Sequence, residues 1–349
     1  MEPSVLVRRV GAAGHLVLNR PRAINALTLE MVETLDRALV DWETDPEVTC
    51  VLLTGAGERG LCAGGDIVMM RDSILGDGAR TARTFWRAEY LLDARIAAYP
   101  KPFVAAMDGI VMGGGVGLAC HATHRLASER LVLAMPEVGI GLHPDCGAAY
   151  LLARSPGQLG THLVLTGGRI GAADAVLCGL ADRVVSAESL AQLPELLAEG
   201  RVEEAVAGLP GPPDPVEPTL LPERGWIDDG YRGASVEAIL ARLHGLDDPA
   251  AAAAAATIES KSPTALKVSL AALRRAREMT SLEQCFDQDY RVSAACAADP
   301  DLVEGIRAQV VDKDREPRWR PSALSAVTEA AVERHFAAVD DELGLEPAT

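Results

Sequence analysis

Along the first half of this 349-residue chain the hydrophobic and polar positions switch repeatedly between two periods. "HLVLN" (15–19) is a short β-type run, and "RPRAIN" behind it reads as a turn. "TLEMVETLDRALVDWE" (28–43) then sets Val32, Leu35, Leu39 and Trp42 on one helical face. Thr28 is placed to cap that helix, with Glu30 near its positive end. "VTCVLLTGAG" (48–57) predicts a buried strand that ends in glycines. "YPKPFVAAMDG" (99–109) predicts another after two prolines, and "RLVLAMPE" (130–137) a third. Strands alternating with helices point to an α/β architecture with crossover connections.

Residues 205–222, "AVAGLPGPPDPVEPTLLP", hold six prolines and interrupt this pattern. Beyond them the periodicity is helical: "SVEAILARLHG", an alanine run at 250–256, "SPTALKVSLAALRRARE" and "SLEQCFDQDYRVSAACA". The expected organisation is a core over 1–205 and a mainly helical region over 206–349 packed on it. No repeat of 20–50 residues is visible.

Composition narrows the function classes. Apolar residues make up 48% and charged residues 24%, as in a soluble globular protein. Aromatic residues are only 4%, so Ala, Val and Leu must fill most of the interior. The net charge of −17 repels phosphate backbones and anionic membranes, which argues against nucleic-acid and membrane partners. An anionic small molecule remains compatible, because a few local groups suffice to hold it. The seven cysteines form no CxxC pair and no framework, which predicts reduced thiols in a reducing compartment, here the cytoplasm. The N-terminal stretch lacks a basic flank and sustained apolar core, so it reads as a first strand rather than a secretory signal. No stretch of about 18 uncharged apolar residues predicts a membrane span.

Two glycine turns carry the candidate chemistry. "MDGIVMGGGVGLACHATHR" (107–125) puts glycine at 113, 114, 115 and 117, ahead of a helical run. "GLCAGGDIVMM" (60–70) is a second glycine turn between strand and helix. Glycines at a helix start expose backbone N–H groups and let a ligand approach closely. They also serve plain strand–helix packing. Neither nucleotide fingerprint fits, since GxxxxGK[ST] is absent and "GGGVGL" lacks the last glycine of GxGxxG. Two such turns can offer paired donors to one carbonyl oxygen, the arrangement that acyl-transfer and enolate chemistry needs. "AMPEVGIGLHPDCGAAY" (134–150) adds Glu137 just after a strand and Asp145 eight residues on. Beside a two-amide hole, such carboxylates can serve as base, nucleophile or acid.

Other residues offer less. His121 and His124 are three apart on a predicted helix, but no third ligand is evident and no metal site is expected. Cys62 has no histidine placed in sequence to activate it and reads as a buried small residue. Asp66 reads as a cap on its turn. Arg22, in the N-terminal turn, reads as either a phosphate contact or a solvated arginine.

The set "NRPRAINAL", "CAGGD", "MDGIVMGGGVGL" and "AMPEVGIGLHPD" resembles the crotonase (enoyl-CoA hydratase/isomerase) superfamily. More closely it resembles the 3-hydroxyisobutyryl-CoA hydrolase branch. "ESKSPTALKVSLAALRRA", "SLEQCFDQDYRVS", "DLVEGIRAQVVDKDREPRWRP" and "VTEAAVERHF" extend the likeness to about residue 338. The resemblance implies a spiral of ββα units with a helical C-terminal region. It implies an acyl-CoA substrate whose thioester carbonyl lies between the amides of Gly65 and Gly114. It carries Glu89, Glu137 and Asp145 to the site, with Ala63, Asp66 and Arg22 among the substrate contacts. It implies a homo-oligomer and no cofactor beyond the CoA of the substrate. One departure bears on the reaction. Classical hydratases place a second glutamate where this chain has Gly117, so hydrolysis is favoured over water addition.

Overall fold

The N-terminal apolar stretch forms a hairpin rather than a single strand: β1 (Val5–Val10) pairs antiparallel with β2 (Ala13–Leu18). The structure, a computed structural model, describes residues 2–346. From β2 onward the named strands pair in parallel. β3 (Cys50–Gly55), β5 (Phe103–Met107), β7 (His124–Ser128) and β9 (Arg183–Val185) follow β2 across one sheet. β4 (Gly60–Cys62), β6 (Ile110–Met112) and β8 (Val132–Ala134) form a second, three-stranded sheet. From β3 to β8 each odd strand enters the large sheet and the next enters the small one, so every ββ step there advances both sheets by one strand. That is the spiral of ββα units expected from the motifs.

The first helix, α1 (Leu29–Thr44), starts where its cap predicts, with the Thr28 hydroxyl accepting the Met31 N–H at 3.3 Å. Val32, Leu35, Leu39 and Trp42 are all buried. One face of the large sheet presents Cys50, Leu52, Val104, Ala106 and Leu126 to Leu190, Leu193, Leu197 and Val202 from three short helices between 187 and 208. Alternate strand positions line this core because successive side chains point to opposite faces.

Contacts divide the chain into two units, Met1–Gly65 with Ala88–Ala134 and Arg169–Thr219, and Asp66–Arg87 with Met135–Gly168 and Leu220–Thr349. The first holds both sheets. Among its described residues the second holds helices and turns. The units interleave in sequence and are not the consecutive 1–205 and 206–349: residues 206–219 go with the first, and 66–87 and 135–168 with the second.

In the second unit the alanine run is an ordinary amphipathic helix, Pro249–Glu259. Asp248 caps it, Pro249 supplies the preset first φ, and Ala251, Ala254, Ala255 and Ile258 make the buried face. Near the C-terminus, His335 is buried with Nε2 2.9 Å from Asp299 Oδ2 and Nδ1 3.0 Å from the Ala331 carbonyl. Burial opposes the imidazolium, but the bonds to Asp299, Cys296 and Ala331 outweigh it and raise the pKa to about 10. A histidine raised in this way stabilises the fold fully below its unfolded pKa of about 6.5. That contribution disappears as pH climbs toward the folded value. The melting temperature of wild type should therefore exceed that of His335→Gln by most near neutral and acidic pH, with the gap closing on the alkaline side. A gap that widened with pH would refute the ion pair.

All seven cysteines are buried and none forms a disulfide. Among the described residues no helix is long and apolar enough to cross a membrane.

Candidate active site

In the first unit a single buried amide organises the N-terminal turn. Ile24 and Asn25 both have positive φ (49° and 55°), a conformation asparagine tolerates and isoleucine resists. The Asn25 amide nitrogen lies 3.1, 3.1 and 3.0 Å from the carbonyls of Ala56, Gly60 and Leu61. Its Oδ1 accepts the Arg20 N–H at 2.9 Å. The turn is thereby tied to the end of β3 and to β4. The Ala63 N–H then donates to the Ile24 carbonyl at 2.9 Å, and the Leu27 N–H to the Gly64 carbonyl at 2.8 Å. Gly65 faces Leu27 in an isolated parallel bridge. In such a bridge Leu27 bonds to the residues flanking Gly65, so the Gly65 N–H points the other way. Sequence reasoning quoted Asn25 within a motif but assigned it no role. The signal was its type, since asparagine is the residue that holds a left-handed turn while its side chain bonds to backbone.

The second glycine turn leads from β6 into a short helix, α4 (Gly114–Cys120). As its first residue Gly114 has no intrahelical acceptor for its N–H. A Cβ on Gly64, at φ 98°, would lie 3.4 Å from the Gly114 nitrogen, so the two turns abut. A Cβ on Gly114 would lie 2.1 Å from Oε1 of Glu89 and 3.2 Å from Leu27 Cδ1. Any side chain there would have to displace the Glu89 carboxyl, which occupies that space. Glu89 comes from the helix Arg80–Ala97 and is buried. The first unit therefore brings together Gly65, Gly114 and Glu89, with half-buried Ala63 on the same turn. Arg22 is exposed in the turn Pro21–Ala23. Burial pushes the Cys62 thiol up to about 12, so it stays protonated and is no nucleophile. His124 pairs with Glu203 at 3.1 Å.

The second unit carries the other carboxylates. Asp66 caps the helix Ile67–Asp77, its Oδ1 accepting the Met69 N–H at 3.4 Å. Glu137 opens a 3₁₀ turn, Glu137–Gly139, whose carbonyl receives the N–H groups of Ile140 and Leu142 at 2.9 and 3.0 Å. The Val138 carbonyl takes the Ser262 N–H at 3.2 Å. The turn is thus fastened on both sides of its carboxylate. Oε2 of Glu137 is buried and has no hydrogen-bond partner among the described residues. Burial first, and the charge of Asp145 second, hold the Glu137 carboxyl well above the usual carboxylate range. Asp145 is buried too, and its carbonyl accepts the Ala148 N–H at 2.9 Å. A buried carboxylate with one oxygen unengaged can attack an electrophilic carbon or take a proton from water.

The pH profile should report this pair. If Glu137 acts ionised, kcat/KM falls on acidification through a pKa well above the ordinary carboxylate range. Asp145→Asn removes the like charge, so the limb should move to lower pH whatever happens to the plateau. A limb that stays in place would show that Glu137 does not sense Asp145.

The sequence profile of the enoyl-CoA hydratase/isomerase family matches residues 13–336. The mitochondrial 3-hydroxyisobutyryl-CoA hydrolase of Danio rerio is 39% identical over 346 residues, 97% of this chain and 90% of that protein. The Homo sapiens protein of the same name is 37% identical over 95% of this chain and 88% of its own length. Among solved structures, a carnitinyl-CoA dehydratase from Mycobacterium thermoresistibile superposes with a TM-score of 0.94 at 49% identity, covering 98% of each chain. An enoyl-CoA hydratase from Rhodobacter sphaeroides 2.4.1 does so with 0.88 at 42% identity, covering 96% of this chain and 97% of its own.

Proposed function

This chain belongs to the enoyl-CoA hydratase/isomerase family, and from that membership we propose that it hydrolyses 3-hydroxyisobutyryl-CoA to 3-hydroxyisobutyrate and CoA, a step of valine breakdown. The observation that carries hydrolysis is the pairing of Gly117 with Glu137. Water addition to a double bond uses two carboxylates, and the second position here is a glycine inside α4. Thioester cleavage needs one activated carboxylate and an oxyanion hole.

In this reading the Gly65 and Gly114 amides receive the thioester oxygen and stabilise the charge it gains. The Glu137 carboxylate then acts by one of two routes. As nucleophile it adds to the carbonyl, expels CoA thiolate and leaves a mixed anhydride that water cleaves. As base it takes a proton from water, which itself adds to the carbonyl; the adduct then expels CoA thiolate, and the proton held by Glu137 is available to it. Glu89 and Asp145 are the acidic groups for orienting water or the substrate hydroxyl, with Ala63, Asp66 and Arg22 as further substrate contacts. We assign no cofactor beyond the CoA of the substrate, a homo-oligomeric state, and the cytoplasm as the compartment in which the seven thiols stay reduced.

The two solved relatives, one named as a dehydratase and one as a hydratase, favour a second reading, water addition or removal on an acyl-CoA. One assay separates them. Free thiol released from 3-hydroxyisobutyryl-CoA supports the hydrolase. Loss of enoyl absorbance from crotonyl-CoA without thiol release overturns it in favour of the hydratase. Neither signal, with tight thioester binding, would make the chain a silent binder.

A further inference from the structure

The sequence segment "SLEQCFDQDYRVS" carries a carboxylate that the reaction has not used. Asp289 lies on the helix Leu282–Cys296, fully buried, and its Oδ2 accepts the Gly147 N–H at 2.8 Å. Gly147 stands two residues after Asp145 and opens the helix Ala148–Leu152. The backbone there is unusual. Cys146 has φ 55° without being a glycine, and Gly147 follows at φ 72°, so two successive left-handed residues turn the chain directly behind Asp145. Such a conformation persists only where surrounding structure imposes it.

Asp289 belongs to a stripe that imposes it. Cys285, Asp289 and Ser293 are four residues apart and share one face of their helix. The Cys285 thiol donates toward Asp289 at 3.9 Å. Ser293 Oγ lies 3.4 Å from His143 Nε2, and His143 Nδ1 is 3.9 Å from Asp289 Oδ1. The stripe therefore meets the turn on both sides of Asp145, at His143 before it and at Gly147 after it. Below it, Ala149 packs with Ala276 and Cys285 in a small apolar cluster.

We propose that Asp289 is a positioning residue: by receiving the Gly147 N–H it holds the left-handed turn that aims Asp145, and so sets the rate of thioester cleavage rather than the affinity for the thioester. Burial and the Asp145 charge hold the Asp289 carboxyl well above its ordinary range, and the bond from the Gly147 N–H needs only an acceptor oxygen at that position. An asparagine can do that work. The inference rests on the hydrolase reading for its effect on rate, but the placement of the turn is tested apart from it.

The experiment compares Asp289→Ala and Asp289→Asn in the full chain, with Asp289→Val filling the same volume should the alanine variant not fold. Hydrogen–deuterium exchange over peptides covering 143–150 reads the turn itself. We expect fast exchange in Asp289→Ala and near-native protection in Asp289→Asn. Steady-state thiol release reads the consequence. Displacing a reacting group by about 1 Å can cost about 10²-fold, so kcat per folded enzyme should fall by about that in the alanine variant, with KM unchanged and Asp289→Asn close to wild type. In an Asp145→Asn background Asp289→Ala should add no more than about a twofold loss, the scatter expected of additive changes. Three results would overturn the inference: native exchange in Asp289→Ala, an Asp289→Asn variant as slow as the alanine one, or losses that multiply in the double variant. Failure of wild type to release thiol sinks the hydrolase reading instead, and the exchange data still decide whether Asp289 holds the turn.

Discussion

Glu137→Gln will bind acyl-CoA thioesters as wild type does and turn them over about 10²- to 10⁴-fold more slowly, the range for a lost acid–base group. Glutamine keeps the volume and one acceptor of the side chain but can neither attack a carbonyl nor take a proton. The 3₁₀ turn is held by backbone bonds to Ile140, Leu142 and Ser262, none of which uses the carboxylate. Folding should therefore survive. The substitution also deletes a charge that burial and Asp145 both oppose, so the melting temperature should not fall. Thermal melts and thiol release on the same preparation check both halves. Wild-type kcat in this variant would move the chemistry elsewhere, with Asp145 the first residue to test. Single-turnover cleavage in H₂¹⁸O then tests for the anhydride route. Label found in the Glu137 carboxylate marks an anhydride opened at its glutamyl carbon, whereas label confined to product is left both by activated water and by water attacking the acyl carbon of the anhydride.

Gly114→Pro should be nearly as damaging, at about 10²- to 10³-fold in kcat, the cost of one oxyanion donor. Proline removes the N–H, yet the first position of a helix is where it is best tolerated, so α4 can still form. It also introduces a Cβ, which would meet Oε1 of Glu89 at 2.1 Å. Gly114→Ala is the control. Alanine introduces the same clash and keeps the amide. The ratio of kcat between the two variants isolates the N–H, and the deficit of alanine against wild type measures the displacement of Glu89. Equal rates for proline and alanine would mean that the amide contributes nothing and that Gly114 serves only to leave room.

That second outcome shows where sequence reasoning reached and where it stopped. The glycine at 114 was legible as a demand for bare backbone beside a helix start, and both halves of that description hold. What a sequence does not carry is the neighbour, a carboxylate twenty-five positions earlier on another helix. The same limit explains the strands. β3 and β5 are apolar runs long enough to show a strand pattern, whereas β4 and β6 are three residues each and lie inside segments read as glycine turns. A two-residue period needs more than three positions to be recognised. Thr28, Asp66 and the alanine run were legible because caps and helical faces are local. Asn25 was visible only as part of a motif, since its three carbonyl partners lie on later segments of chain. The units were legible at one place, since the proline-rich break at 205–222 contains the boundary between Thr219 and Leu220, whereas the other boundaries, after residues 65, 87, 134 and 168, depend on contacts between distant segments.

The turn behind Asp145 has a consequence for biosynthesis. Its supports are Asp289 and Ser293, while Gly141 and Ile140 pack against the backbone of Asp301 and Gly305. The chain from Asp145 to Asp289 takes roughly 7–30 s to emerge at about 5–20 residues per second. Throughout that interval the nascent protein owns both acidic residues of the 134–150 segment and none of the helix that shapes the turn behind the second. A ribosome that stops before residue 289 releases a polypeptide with every glycine and carboxylate of the motif and an unshaped loop where Asp145 should be aimed. Acquisition of activity is thereby tied to completion of the last quarter of the chain.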